Sequence, residues 1–246
     1  TSDSKFQLYL GPIVGVLILL FALTDAYERA ELVSYDWRFN IRNSLFGLPE
    51  MDSRLGTIEI DDQTLEVEGR WQDWTRTEYI DVVRILGEYG AEMVGFDIYF
   101  IEPKTKLVSE KQLRALKSID QQGIEGLLAK ANYDQHFRHA IEKADNVYLA
   151  QYLIPVAEDA EGPVKTRPLN ADQQEVLTYI RAHSPKLMVP AAESTIDRTT
   201  HFVPPIKLLR EAARGFANAQ TTEDFDGSRR RYPLVFQYQD ILFPSI

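Results

Sequence analysis

The chain has 246 residues, of which 44% are apolar and 26% are charged, as expected of a globular protein with a full core. It contains no cysteine, which excludes a disulfide framework, zinc held by cysteine and a cysteine nucleophile. The 37 acidic and 27 basic residues give a net charge of −10, which argues against a nucleic-acid partner because phosphate binding relies on basic surface. Since the first residue is threonine, we expect the chain to be part of a longer protein.

The first predicted element is a membrane-spanning helix. Residues 6–24 carry no charge, and as a helix they would span about 28 Å, close to the hydrocarbon thickness of a bilayer. A cleaved signal peptide or a buried core helix would also be apolar, but no small-residue cleavage site follows the run. We therefore predict residues 1–24 as a transmembrane anchor. The basic residues on either side do not settle its orientation.

Residues 25–45 are predicted to extend the anchor outward as an amphipathic stalk helix. They contain no proline or glycine, and Tyr27, Ala30, Trp37 and Ile41 recur at helical spacing. The apolar side of this helix could pack on the following domain, or it could serve a homodimer that transmits a signal. The two interpretations are compatible.

Residues 46–246 are predicted to form an α/β domain with a mixed sheet and helices on both faces. A strand at 57–61, a helix at 77–89 and a strand within Gly90–Pro103 would make a βαβ unit, whose two strands are parallel. The apolar run around Asp97 predicts a central strand that is buried on both faces. Alternation along it places this aspartate on the face opposite the phenylalanines.

The remainder of the chain is predicted to complete a parallel core and to add an antiparallel C-terminal meander. Asp134 can cap a helix that runs to Lys143. Residues 104–130 are predicted as a polar insertion, and residues 155–205 as a long irregular segment with one helix. The other predicted elements are a strand at 146–154, helices at 172–182 and 206–214, and strands at 215–221, 231–238 and 241–243.

Four acidic residues are the first candidate binding group: Asp61, Asp62, Asp97 and Glu102. The predicted fold places them at the carboxyl ends of two adjacent strands, where open α/β sheets bind ligands. They could hold a divalent cation, act as an acid/base pair, or anchor loops by accepting main-chain N–H groups.

An aromatic loop supplies the other candidate ligand-binding residues. Trp71, Trp74 and Arg76 flank the start of a predicted helix, where the rings could line a ligand pocket or pack over the edge of the sheet. The sequence contains no glycine-rich phosphate loop and no G-x-S-x-G motif. We therefore predict no catalytic residue, no metal and no cofactor.

The order of several short motifs resembles a known family. They are YDWRF at 35–39, IEIDD at 58–62, WQDWTR at 71–76, GFDIYF at 95–100, DG at 226–227 and FPS at 243–245. Together they are similar to the CHASE domain of the second type, an extracellular sensory module associated with cyclases and histidine kinases. In that family one membrane helix precedes the sensor, further membrane helices follow it, and a cyclase or a protein kinase ends the chain.

The resemblance implies an extracytoplasmic sensor from a receptor in the plasma (inner) membrane, facing the periplasm or the cell exterior. We expect a homodimer that binds an unknown small-molecule or protein ligand and controls a cytoplasmic adenylate or guanylate cyclase, or a kinase, absent from this chain. One alternative is a membrane-anchored, cation-dependent hydrolase that uses Asp61, Asp62 and Asp97. Another is a dimerisation scaffold without a ligand.

Overall fold

The computed structural model describes residues 2–104, 123, 132–156, 166–184, 196–224, 226–230 and 232–245. The chain divides into two compact units, Thr1–Asp61 and Asp62–Ile246. Most of the predicted insertion at 104–130, and parts of the predicted irregular segment at 155–205, lie outside the described residues.

Two helices form most of the first unit: α1 (Ser2–Ala22) and α2 (Asp25–Phe46). The helical backbone stops at Thr24, which is extended, and the hydroxyl of Thr24 donates to the carbonyl oxygen of Phe21 at 2.6 Å. Asp25 then begins α2, and a carboxylate in the first turn is favoured by the helix dipole. The local sequence therefore ends one helix and starts another.

This break changes the interpretation of the N-terminal segment. Among the described residues no single helix combines the length and the apolarity that a membrane span requires. The pair formed by Gly11–Ala22 and Asp25–Phe46, bent by 83° at the break, meets both requirements together. The prediction of one long transmembrane and stalk helix is wrong, because the chain turns sharply between two separate helices.

The predicted strand at 57–61 is also wrong. Its alternating residues suggested a strand, but these residues are irregular and have no ladder partner in the described part of the chain. Ile58 is 63% exposed, so the segment gains little from burial. A strand is stable only when its main-chain N–H and C=O groups pair with a neighbour.

The second unit contains six described strands: β1 (Val94–Tyr99), β2 (Val147–Pro155), β3 (Thr199–Val203), β4 (Gly215–Asn218), β5 (Val235–Tyr238) and β6 (Ile241–Pro244). β2 is the middle strand, with β1 and β4 as parallel neighbours. β3 pairs antiparallel with the end of β2, and β5 and β6 form an antiparallel hairpin. The mixed sheet is confirmed, but β2 rather than the predicted segment occupies its centre.

Five described α-helices belong to this unit: α3 (Asp62–Glu68), α4 (Thr77–Glu88), α5 (Tyr133–Ala144), α6 (Ala171–His183) and α7 (Lys207–Arg210); a 3₁₀ helix spans Trp71–Asp73. α5 joins β1 to β2, so a βαβ unit exists, but with different strands from those predicted. α4 and α6 lie within one residue of their predicted bounds. α7 is shorter than predicted, and β3 lies within the segment predicted to be irregular.

The core of this unit has two parts on one face of the sheet. Near β1, Tyr79 and Phe137 from α4 and α5 contact Phe96 and Phe100. The second part joins α6 to β2, β3 and the hairpin; its buried members are Leu153, Val176, Ile180, Phe202, Phe236, Tyr238, Ile241 and Phe243.

The opposite face of β1 is open in the described structure. The alternation predicted for this strand is confirmed, since Val94 and Phe96 are buried while Gly95 and Asp97 are exposed. Burial on both faces is therefore wrong for β1. The buried side chains of α4, α5 and α6 all pack on the phenylalanine face, so helices on both faces are not found among the described residues.

Candidate functional site

A buried ion pair holds the loop that follows β1. Nε of Arg76 donates to Oδ1 of Asp134 at 2.8 Å, and Nη2 of Arg76 donates to the main-chain oxygen of Glu102 at 2.8 Å. Oδ2 of Asp134 accepts the main-chain N–H of Lys104 at 2.9 Å. Each of the paired side chains is only 10% exposed. One charge pair therefore connects two helices to the end of a strand.

The positions of these residues in their helices explain why they pair. Asp134 lies in the first turn of α5, where the helix dipole favours a carboxylate, whereas Arg76 is the N-cap of α4, where the dipole disfavours a cation. The guanidinium carbon of Arg76 also lies 4.7 Å from the ring centroid of Phe100, a cation–π contact. The predicted capping role of Asp134 is not found, because Asn132 is the N-cap of α5.

An aromatic stack leads from the surface to this ion pair. The ring of Trp71 lies 5.3 Å from that of Trp74 at an angle of 28°, and the Trp74 ring lies 6.1 Å from Tyr79. Nε1 of Trp74 donates to the carbonyl oxygen of Gly69 at 3.2 Å. Burial raises the pKa of Tyr79 above its ordinary value. Trp74 is 7% exposed and belongs to the core, while Trp71 is 39% exposed and forms the outer end of the stack.

The strand that was predicted to end at Asp61 and Asp62, and on which the acidic binding group depended, is absent from the described structure. Asp61 ends the first unit and follows no strand, and Asp62 is the first residue of α3. Glu102 contributes its main-chain oxygen to Arg76. Among the described residues, no three acidic or histidine side chains are placed to hold a metal ion. The premise of the hydrolase alternative, two adjacent strand ends that carry carboxylates, is therefore wrong.

Asp97 lies among tyrosines on the open face of β1. The ring of Tyr99 meets that of Tyr152, on β2, edge to face with centroids 5.3 Å apart. Burial raises the pKa of Tyr99 to about 12, with smaller contributions from Asp97 and the two other tyrosines. Burial and then Asp97 also raise the pKa of Tyr232. We call Asp97, Tyr99, Tyr152 and Tyr232 the tyrosine face.

Asp97 anchors no loop in the described structure. It is exposed and makes no hydrogen bond or ion pair, in contrast to Asp134. Neither Asp134 as the partner of Arg76 nor Tyr152 and Tyr232 near Asp97 were predicted from the sequence, whereas the alternation along β1 does place Tyr99 on the same face as Asp97.

The comparisons with known proteins agree with the resemblance seen in the motifs. A family model described as the CHASE2 domain matches residues 13–246. No curated protein and no solved structure matches the chain.

Proposed function

The chain belongs to the CHASE2 domain family, and from this premise we propose that it is the extracytoplasmic sensor of a transmembrane receptor. CHASE2 domains are extracellular sensory domains of membrane receptors, and the match over residues 13–246 is the observation that carries the proposal. The receptor controls a cytoplasmic nucleotide cyclase or protein kinase that lies outside this chain. In such a receptor this chain detects the ligand, and the cytoplasmic part carries the catalytic activity.

The apolar surface of α1 supports membrane attachment. Ile13, Leu17 and Leu20 are 54%, 59% and 55% exposed, and they belong to a run without a charged residue. Leaving apolar surface in water costs about 25 cal/mol per Å², a cost that a bilayer would remove. We propose that α1 is the anchor and that the 83° bend at Thr24 redirects the chain at the membrane surface.

An exposed apolar stripe along α2 supports a homodimer. Val33, Trp37 and Ile41 are 57%, 68% and 57% exposed and recur every four residues, so they share one side of the helix. Large exposed apolar residues in a row are typical of a surface that a partner covers. We propose that this stripe pairs with the same stripe of a second copy.

The proposed mechanism is a shift between two arrangements of the dimer. A ligand moves such an equilibrium only by its difference in affinity for the two arrangements. The change would pass through α2 to the membrane and then to the cytoplasmic effector. Trp71, as the exposed end of the stack that reaches Arg76, is a candidate contact for a protein ligand.

Two experiments test the proposal. Because the chain has no cysteine, the single exposed substitution Glu92→Cys can be labelled without ambiguity. A maleimide that does not cross membranes should label it in intact cells, and labelling only after lysis would contradict an extracytoplasmic location. In the full-length receptor, deletion of residues 25–246 should change effector activity, and unchanged activity under all conditions would exclude a sensing role.

A further inference from the structure

The tyrosine face presents a free carboxylate beside aromatic rings. Asp97 is exposed at the middle of β1, whereas Tyr99 and Tyr152 are half-buried and hold each other in an edge-to-face contact at 5.3 Å. Tyr232 adds a fourth member and is 45% exposed. Asp97 and Tyr99 lie on β1 and Tyr152 lies on β2; the two strands pair at Gly95 and at Tyr99, with a register shift between these positions. Three of its four members therefore lie on strands, and Tyr232 lies in the segment before β5.

Asp97 has no basic partner in the described part of the chain. Three other aspartates of this unit have arginine partners: Asp134 pairs with Arg76, Asp172 with Arg210, and Asp224 with Arg230. Asp97 has no hydrogen bond and no ion pair among the residues that the structure describes. A carboxylate that no basic side chain of the described structure neutralises attracts a cation.

The rings favour the same kind of ligand. The face of a tyrosine carries negative potential, so a cation within about 6 Å of a ring centroid is attracted to it. A metal ion would need further oxygen ligands, and none of the described residues supplies such a group. An organic ammonium ion can use the carboxylate for its charge and the rings for its carbon atoms, so it matches both components.

We propose that the tyrosine face binds a small organic ammonium ion, with Asp97 facing its charge and Tyr99 and Tyr152 contacting its alkyl groups. The inference rests on the proposed function in one respect, because it names the chemical class of ligand that the sensor detects. The net charge of −10 would favour the approach of such a cation over that of an anion.

Calorimetric titration of the full chain in nanodiscs with choline tests the proposal. The control ligand is 3,3-dimethyl-1-butanol, which has the same shape but no charge. Choline should bind saturably, and the neutral alcohol should bind at least about tenfold more weakly. Equal binding of both compounds, or no binding of choline, would overturn the inference.

Matched variants separate the two components of the site. Asp97→Asn should weaken choline binding about tenfold, whereas Glu92→Gln removes an exposed charge beside the same strand and should have no effect. Tyr152→Phe should bind as the unaltered chain does, and Tyr152→Leu should bind several-fold more weakly. Full binding by Asp97→Asn or by Tyr152→Leu would contradict the proposed site.

Failure of this inference can be distinguished from failure of the sensor proposal. If Asp97 instead meets a lysine or arginine of a second copy, Asp97→Asn should change the sedimentation of the chain while choline does not bind. That result would exclude the ammonium site. Extracytoplasmic labelling at Glu92→Cys and altered activity on deletion of residues 25–246 would still support a sensor.

Discussion

Nε of Arg76 lies 2.8 Å from Oδ1 of Asp134, although the two residues are 58 positions apart in the chain. Both lie at the beginning of a helix, and the second carboxylate oxygen holds the N–H of Lys104. The pair thus ties α4, α5 and the loop after β1 together. The ion pair lies next to the aromatic stack, so it supports the surface that Trp71 forms.

Removing either partner of this ion pair should destabilise the second unit strongly. Arg76→Leu and Asp134→Leu should each lower the free energy of unfolding by about 3–5 kcal/mol, because each leaves a buried charge without compensation. The double variant should lose less than the sum of the two, since no unpaired charge remains. Urea denaturation measures all three values.

The matched control for these variants is Arg84, an exposed arginine on α4 that contacts Asp81 and Glu88. Arg84→Leu should leave the urea midpoint nearly unchanged, because exposed pairs are screened by water. If Arg84→Leu and Arg76→Leu shifted the midpoint equally, a special role for the buried pair would be excluded.

The two tryptophans of the aromatic loop should differ in their effect on stability. Trp74→Ala should lower the free energy of unfolding by about 3–5 kcal/mol, because it removes a large buried ring. Trp71→Ala should cost much less, since 39% of that residue is already exposed. Thermal unfolding by circular dichroism measures the difference, and equal losses would contradict the assignment of Trp71 to the surface.

Helices and strands that are favoured by their own neighbouring residues were predictable from the sequence. β1 followed from its apolar run and its alternation, and α4 ends where expected because Gly90 adopts a positive φ of 79° after it. α6 was also predictable, since Asn170 and Gln173 form a reciprocal capping box at its start. In these elements the neighbouring residues alone favour the observed structure.

Features that depend on distant residues were not predictable. Residues 57–61 have a strand-like pattern but find no partner, whereas β3 lies in a proline-flanked segment and is a strand because β2 pairs with it. The Arg76–Asp134 pair likewise depends on distant residues, because the two side chains meet only when α5 packs on α4. A single sequence contains no signal for such contacts.

The stability of the second unit should depend on the protonation of His201. Gln173 donates one N–H of its amide to the carbonyl oxygen of Phe202 at 2.6 Å and the other to Nε2 of His201 at 3.0 Å. Protonation of His201 would place a hydrogen on Nε2, which could then no longer accept the hydrogen bond from Gln173. Burial, and then the charge of Arg167, lower the pKa of His201 below its ordinary value of 6.5.

Because the pKa of His201 is lowered in the folded state, its contribution to stability is present above pH 6.5 and is lost as the pH falls towards the folded value. The urea midpoint should therefore decrease on acidification below pH 6.5. In His201→Gln this decrease should be smaller, since an acceptor remains but does not titrate. The matched control is His136→Gln, which alters an exposed histidine of α5 and in which the decrease should persist.

Gln151 should be replaceable by an apolar residue with a gain in stability. It is fully buried on β2, and neither Nε2 nor Oε1 has a hydrogen-bond partner in the described structure. A buried polar group without a partner costs about 1–3 kcal/mol, so Gln151→Met, which keeps a similar shape, should raise the free energy of unfolding by that amount.

Gln173→Met is the matched control, because the buried Gln173 amide is paired with Asn170, His201 and Phe202, and its loss should destabilise the protein. Urea denaturation of both variants gives the comparison, and a loss of stability in Gln151→Met would show instead that a buried water satisfies the amide.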